Sequence, residues 1–388
     1  MKWKLIWPVL ATLLIPLVVA YFYYPETHLP PGFGEFPPQK PDGVPPTPGF
    51  SWIYFLLMLP GVIIVSALVI WPKWFGFKGA APVPRPKSTV SYPWWMWAGL
   101  ITNLFFWGLM WDHSMWLGDL VYWSFTPMWW GFILFLDGIV YKRNNGVSLA
   151  ASKPKLFWIS AIISIVAWAY YEYYDYFVLA NWYYPHAHDA PWSTTLLQIE
   201  FLLTYSTVTP VIFEWYTLFR TVPGFFERYQ NGPKWVLSGN KLIAIGAVLI
   251  GAMVVLPYPL FWVVWIGPFM IMTGVLLKAG IWNPFEDIAK GNWGAGVLIA
   301  LASMVNGLFW EFWNHGSLAT DPTSTTNPNF WVYNIPYVDV IHLFSEMPLL
   351  GYFGYLPFGV VVLQVFIWCG AVFGFATDIT LTPKSNEQ

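Results

Sequence analysis

The chain has 388 residues, of which 57% are hydrophobic and only 10% charged, with a mean hydropathy of +0.52. A water-soluble domain of this length carries about a quarter charged residues, so composition excludes an ordinary soluble protein. The formal net charge of −2 offers nothing to nucleic acid or an acidic partner, and the single cysteine, Cys369, excludes intrachain disulfides.

Apolar runs of about 20 residues recur along the chain, the signature of transmembrane helices, and predict an all-α polytopic membrane helix bundle. The first run, 3–23, follows Lys2 and Lys4 and ends in VVA, as a secretory signal can. It is long for a signal core, and YFYYP follows as an interfacial anchor, so an uncleaved helix is expected. Residues 24–51, rich in proline and glycine, read as an extended outer connector. Further spans are predicted at 52–72, 93–111, 127–141, 156–176, 195–219, 241–257, 259–278, 293–313 and 340–374, ten in all. Pro210 and Pro268 are expected to interrupt their spans. The last run exceeds what a bilayer needs and is expected to break at Met347–Pro348, with Pro357 beyond.

The basic residues sort by side. Lys73, Lys78, Arg85 and Lys87 share one loop; Lys142, Arg143, Lys153 and Lys155 share the next on that side. Arg220, Arg228, Lys234 and Lys241 follow, then Lys278 and Lys290, whereas the alternate loops contain only Lys40. The positive-inside rule then predicts a plasma-membrane protein with both termini cytoplasmic. Residues 1–92 form an N-terminal two-helix hairpin with its proline-rich loop. Residues 93–388 form an eight-helix repeat domain of hairpins 93–141, 156–219, 241–278 and 293–376.

The hairpins resemble one another. Asn103, Phe106 and Trp107 match Asn306, Phe309 and Trp310 in spacing, and Tyr171–Glu172 matches Trp310–Glu311, with Gly108 in the acid's place in the first copy. Each outer loop carries an aromatic cluster: VYWSFTP (121–127), NWYYP (181–185) and FWVYNIP (330–336). Hairpin 241–278 has no acid inside its spans and reads as scaffold. Repeats in membrane proteins commonly place the site between them.

Aromatics make up 21% of the chain, more than interfacial belts require, and they surround acids. A carboxylate at mid-bilayer costs roughly 2.5–3.5 kcal/mol, which makes such acids functional candidates. Glu172, Glu200, Glu311 and Glu346 fall in the outer parts of their spans and are expected to converge on one cavity. Asp137 and Glu214 lie toward the inner ends and are expected to pair with Lys142 and Arg220 or to cap packing. Burial favours the neutral acid, which can donate a proton, and aromatic faces stabilise a developing cation. The leading expectation is therefore an enzyme of cyclase or isomerase type acting on a hydrophobic isoprenoid or lipid. Glu311 and Glu346 would be the acid/base pair and Glu172 and Glu200 their repeat-related partners, with Trp107, Trp182, Trp310 and Trp331 lining the cavity.

The run YYEYYDYFVLANWYYP (170–185), with an acid early in the next helix, resembles the small integral-membrane lycopene cyclases of the bacterial and archaeal carotenoid type. The resemblance covers about 156–215 and 293–360. It implies that Asp175 is the family's helix aspartate, and that Trp182 with Tyr184, or Trp331 with Tyr333, is its W-x-Y loop. Glu200 and Glu346 would be the return-helix acid. The family's paired acid is not matched, since Glu200 is followed by Phe201 and Glu346 precedes Pro348.

The six histidines all fall on the outer side, and His186, His188, His315 and His342 raise an alternative. With neighbouring acids they could ligate a metal in an outer-face lipid hydrolase. A third reading is a non-catalytic membrane subunit or pigment-binding scaffold whose tryptophans provide packing surface alone. No G-x-S-x-G, P-loop or dinucleotide-binding glycine pattern is present. The sequence sets neither cofactor nor oligomeric state.

Overall fold

A computed structural model describes residues 2–85, 87–113, 115–318 and 325–383. The regular structure of the described residues is helical apart from one two-stranded ribbon. Helices α1 (Trp3–Tyr23) and α2 (Trp52–Ile70) flank the proline-rich connector, followed by α3 (Trp94–Asp112) and α4 (Phe125–Arg143). A short α5 (Leu149–Ser152) leads into α6 (Pro154–Asp175), then α7 (Thr194–Tyr205) and α8 (Val208–Arg220). The rest are α9 (Gly239–Val255), α10 (Val263–Ala279), the short α11 (Pro284–Ile288), α12 (Gly294–Gly316) and α13 (Tyr355–Phe373).

By length and composition six stretches among the described residues can cross a membrane: α1, α2, α6, α7 with α8, α12, and α13 with its preceding turn. Helices α9 and α10 are apolar but shorter, and α3 and α4 occupy the two remaining expected positions. Sequence neighbours pack side by side as α3 on α4, α9 on α10 and α12 on α13, while α6 packs on α7 and α8. Where two helices approach closely, glycine makes room: a Cβ on Gly99 of α3 would lie 2.6 Å from the Gly131 carbonyl of α4, and the reverse holds at 2.7 Å.

The N-terminal pair departs from a hairpin. Helix α1 packs against α9, α10 and α13, whereas the main helical contact of α2 is the 3-10 turn Pro72–Phe75 that follows it. Only Phe55 of α2 is buried, so the helix stands off from the bundle.

The prolines act unequally. Pro210 has no N–H, and its ring excludes the carbonyl four residues earlier; the helix accordingly breaks at Ser206–Thr207, between α7 and α8. Ser164 of α6 fills the gap, donating to the Tyr205 carbonyl at 2.5 Å and accepting the Thr209 N–H at 2.9 Å. Backbone groups stranded in an apolar interior need such a partner. Pro268, by contrast, lies in the second turn of α10, which runs through it unbroken. The expected long final span is shorter than its apolar run: residues 337–350 are irregular, closed by a bridge between His342 and Pro348, and α13 begins only at Tyr355.

The strands β1 (Trp182–Tyr183) and β2 (Val332–Tyr333) pair antiparallel, with Trp182 opposite Tyr333 and Tyr183 opposite Val332. The two W-x-Y loops, far apart in sequence, are thereby joined face to face.

Candidate functional site

Four glutamates are buried, and three of them, Glu172, Glu200 and Glu311, sit among donors drawn from distant elements. Glu172 sits one helical turn after Trp168, so both side chains share a face of α6. Its Oε1 accepts the Trp168 indole N–H at 2.7 Å, the Tyr184 hydroxyl at 2.6 Å and the Tyr205 hydroxyl at 3.0 Å. Its Oε2 accepts the Trp182 indole N–H at 3.3 Å. Extended backbone turns alternate side chains to one side, which is why Trp182 and Tyr184 reach the same carboxyl.

Glu311 of α12 has a parallel arrangement with fewer donors. Its Oε1 accepts the Tyr333 hydroxyl at 2.6 Å and the Tyr355 hydroxyl at 2.7 Å, and the Tyr333 oxygen accepts the Trp331 indole N–H at 2.8 Å. Its Oε2 is buried without a partner. Ser345 lies close by, but its hydroxyl is engaged with that of Tyr352 at 2.9 Å. Glu200 of α7 takes the Asn329 amide on both oxygens at 2.8 and 2.7 Å, with Thr204 at 3.1 Å and Thr126 at 3.4 Å on Oε1.

The donor groups of all three glutamates line one narrow chamber. Its walls carry five indoles (Trp168, Trp182, Trp265, Trp310, Trp331) and four phenols (Tyr184, Tyr205, Tyr333, Tyr355). Thr204 and Asn329 add the polar edge of the Glu200 site. The cavity itself is about 80 Å³, and the space with its open mouth included about 750 Å³. The carboxyls lie behind this wall, so the phenols and indoles meet the chamber and the acids meet the phenols and indoles. No Lys, Arg or His is among the described lining residues.

Other expected residues lie elsewhere. Glu346 is exposed, 3.7 Å from His315 Nδ1, and lines no part of the chamber, because the irregular segment 337–350 carries it to the surface. Asp175 is buried, but its Oδ1 accepts the Asn181 N–H at 2.8 Å. It thereby holds a turn in which Leu179 and Ala180 have positive φ, positioning the loop that starts β1. Trp107 packs on Trp111, Phe312 and Trp313 at the α3–α12 contact, away from the chamber. Asp137 binds Trp95, Ser148 and the Ala150 N–H, so it caps α5 instead of pairing with Lys142.

The histidines are dispersed. His186 pairs with Asp189 at 2.6 Å, His342 with Asp339 at 2.9 Å, and His315 with Glu346, while His188 is exposed. Among the described residues no three of His, Cys, Asp and Glu converge in a way that could hold a metal ion, so the ligand set His186, His188, His315 and His342 is not assembled.

Several chamber residues have no counterpart among the expected ones. Tyr205 and Tyr355 stand on the return helices, where the sequence pattern marks acids. Trp265 comes from α10, in the hairpin read as scaffold, and stacks on Tyr171 at 5.1 Å and Trp182 at 5.7 Å. Trp168, four residues before Glu172, was legible from helical spacing alone.

Compared with family models, curated proteins and solved structures, the chain finds no match.

Proposed function

We propose that the chain is a ten-span membrane enzyme that isomerises or cyclises a hydrophobic isoprenoid or lipid by proton transfer at the Glu311 end of the aromatic chamber. Both termini lie on the cytoplasmic side of the plasma membrane in this reading, as the sorting of Lys and Arg favours. The observation that carries it is the unpartnered Oε2 of buried Glu311 behind Tyr333 and Tyr355. In its acid form Glu311 delivers a proton, directly or through a phenol, to an alkene carbon in the chamber. The cation so formed rests against indole and phenol faces. Loss of a proton from a neighbouring carbon back to the same relay completes the rearrangement with no net oxidation and no consumed co-substrate.

Glu172, with both oxygens engaged, is the structural counterpart, and Glu200 anchors Asn329 at the chamber edge. The likeness of 170–185 to the small membrane lycopene cyclases supports the same class of chemistry, with Asp175 in a positioning role.

The test is a turnover screen of polyene and prenyl substrates run in D₂O. A proton-transfer isomerase or cyclase incorporates solvent deuterium into product, and Glu311→Gln lowers turnover at least 100-fold with substrate binding retained. Product without deuterium, or full activity in Glu311→Gln, would sink the reading. Retention of a bound pigment or partner with no turnover in any variant would favour the scaffold instead.

A further inference from the structure

Between α2 and the flank of the bundle formed by α10, α12 and α13 runs a second space, almost wholly apolar, of about 1960 Å³ with its open side included. Leu57, Gly61 and Val65 of α2 face Ile266, Val297 and Leu356 across it. A third space, of about 760 Å³ with its open side included, lies between this groove and the chamber. It shares Trp182, Trp265, Gly351 and Gly354 with the chamber and Met58, Trp262, Phe353 and Pro357 with the groove. Joined end to end, the three would make one path from the open side of α2, a helix able to cross a membrane, to the wall over Glu311 and Glu172.

Charge and hydrogen bonding restrict the occupant. Anionic heads need cations, and among the described residues no Lys, Arg or His lines any of the three spaces. The buried Asn329 lines the chamber with its Oδ1 unpartnered, an acceptor that calls for a donor. A hydroxyl on an otherwise apolar molecule fits that pattern.

We propose that the path is a lateral entry site for a neutral long-chain alcohol, its hydrocarbon chain in the α2 groove and its hydroxyl in the chamber. This deepens the proposed function and rests on it for the identity of the chamber as the reacting end. Glycine leaves the path open at two points where a side chain is sterically allowed. A Cβ on Gly61 meets nothing within 4 Å, and one on Gly354 comes no closer than 3.5 Å, to the Trp265 indole.

The experiment uses the full chain in nanodiscs, photolysed with geranylgeraniol carrying a diazirine at the far end of its chain. Adducts are expected on residues 57–69 and 293–301, suppressed by excess geranylgeraniol or oleyl alcohol but not by geranylgeranyl diphosphate. Which alcohol competes better identifies a prenyl or an acyl source. Gly354→Leu, which narrows the passage, and Gly61→Trp, which fills the groove, should each cut adduct yield at least tenfold without lowering Tm. Adducts scattered over other helices, equal competition by the diphosphate, or unchanged yield in stably folded variants would overturn the proposal. Correctly placed adducts in a protein whose Glu311→Gln variant still turns over would refute the chemistry and leave the entry path. Loss of turnover in Glu311→Gln with scattered adducts would do the opposite.

Discussion

At Glu172 both carboxyl oxygens accept hydrogen bonds, whereas at Glu311 only Oε1 does. The difference arises one helical turn earlier. Trp168 stands four residues before Glu172 and donates to it; Gly307 stands four residues before Glu311, and a Cβ there would come within 2.4 Å of the Tyr355 ring. The space that an indole would need holds a phenol instead. Glu172→Gln sets its amide N–H groups against the Trp182 donor, and unfolding in detergent should show a loss of about 1–2 kcal/mol. Glu311→Gln can place its amide where no donor points and should be within about 0.5 kcal/mol of the native chain in the same assay. Equal losses at the two positions would show that the Oε2 environments do not differ as described. The acids themselves were legible from the sequence, because charge is rare in such spans. Their phenol partners were not: 22 tyrosines are present, and nothing local marks Tyr205 and Tyr355 as the ones that fold back on carboxyls.

Helix positions follow from hydrophobic runs, and each expected run contains a helix. What sequence could not give is which prolines break a helix. At Pro210 the helix breaks where Ser164 of another helix satisfies both freed backbone groups, whereas α10 runs through Pro268 unbroken. Ser164→Ala removes that bridge and should lower stability by about 1–3 kcal/mol, the cost of an unsatisfied buried group; Ser164→Thr, which keeps the hydroxyl, should recover part of it. An unchanged Tm in Ser164→Ala would show that the break supports itself. The α3–α4 contact has a different weak point. Gly131→Val would drive side-chain carbon into the backbone of α3, where even a Cβ lies 2.6 Å from the Asn103 nitrogen. A loss of about 1–3 kcal/mol is expected, as for overpacked interiors; protection of α3 amides from hydrogen exchange should fall with it.

For the whole molecule, the proposed ten-span arrangement would place residues 24–51 outside and residues 73–92 inside. Cys369 is buried and unpaired, so a Cys369→Ser background leaves a chain without thiols. A cysteine at Lys40 should then react with a membrane-impermeant maleimide in intact cells, and one at Lys78 only after permeabilisation. The reverse pattern would invert the topology, and labelling at both would remove α2 as a span. The stand-off of α2 was not legible in the sequence: its run is the most apolar of the six candidate spans, but apolar composition states only that a surface avoids water. Whether lipid or protein covers that surface depends on tertiary packing.

The ribbon that sets Trp182 opposite Tyr333 ties two similar acid–aromatic clusters together within one polypeptide. Two identical subunits meeting about a twofold axis would be bound to treat both clusters alike, since any substitution would appear twice. A single covalent chain is free of that obligation. It can lock one acid as a keystone and leave its counterpart at liberty, so that division of labour replaces symmetry. The glycine at 307 and the tryptophan at 168 are where that inequality is written.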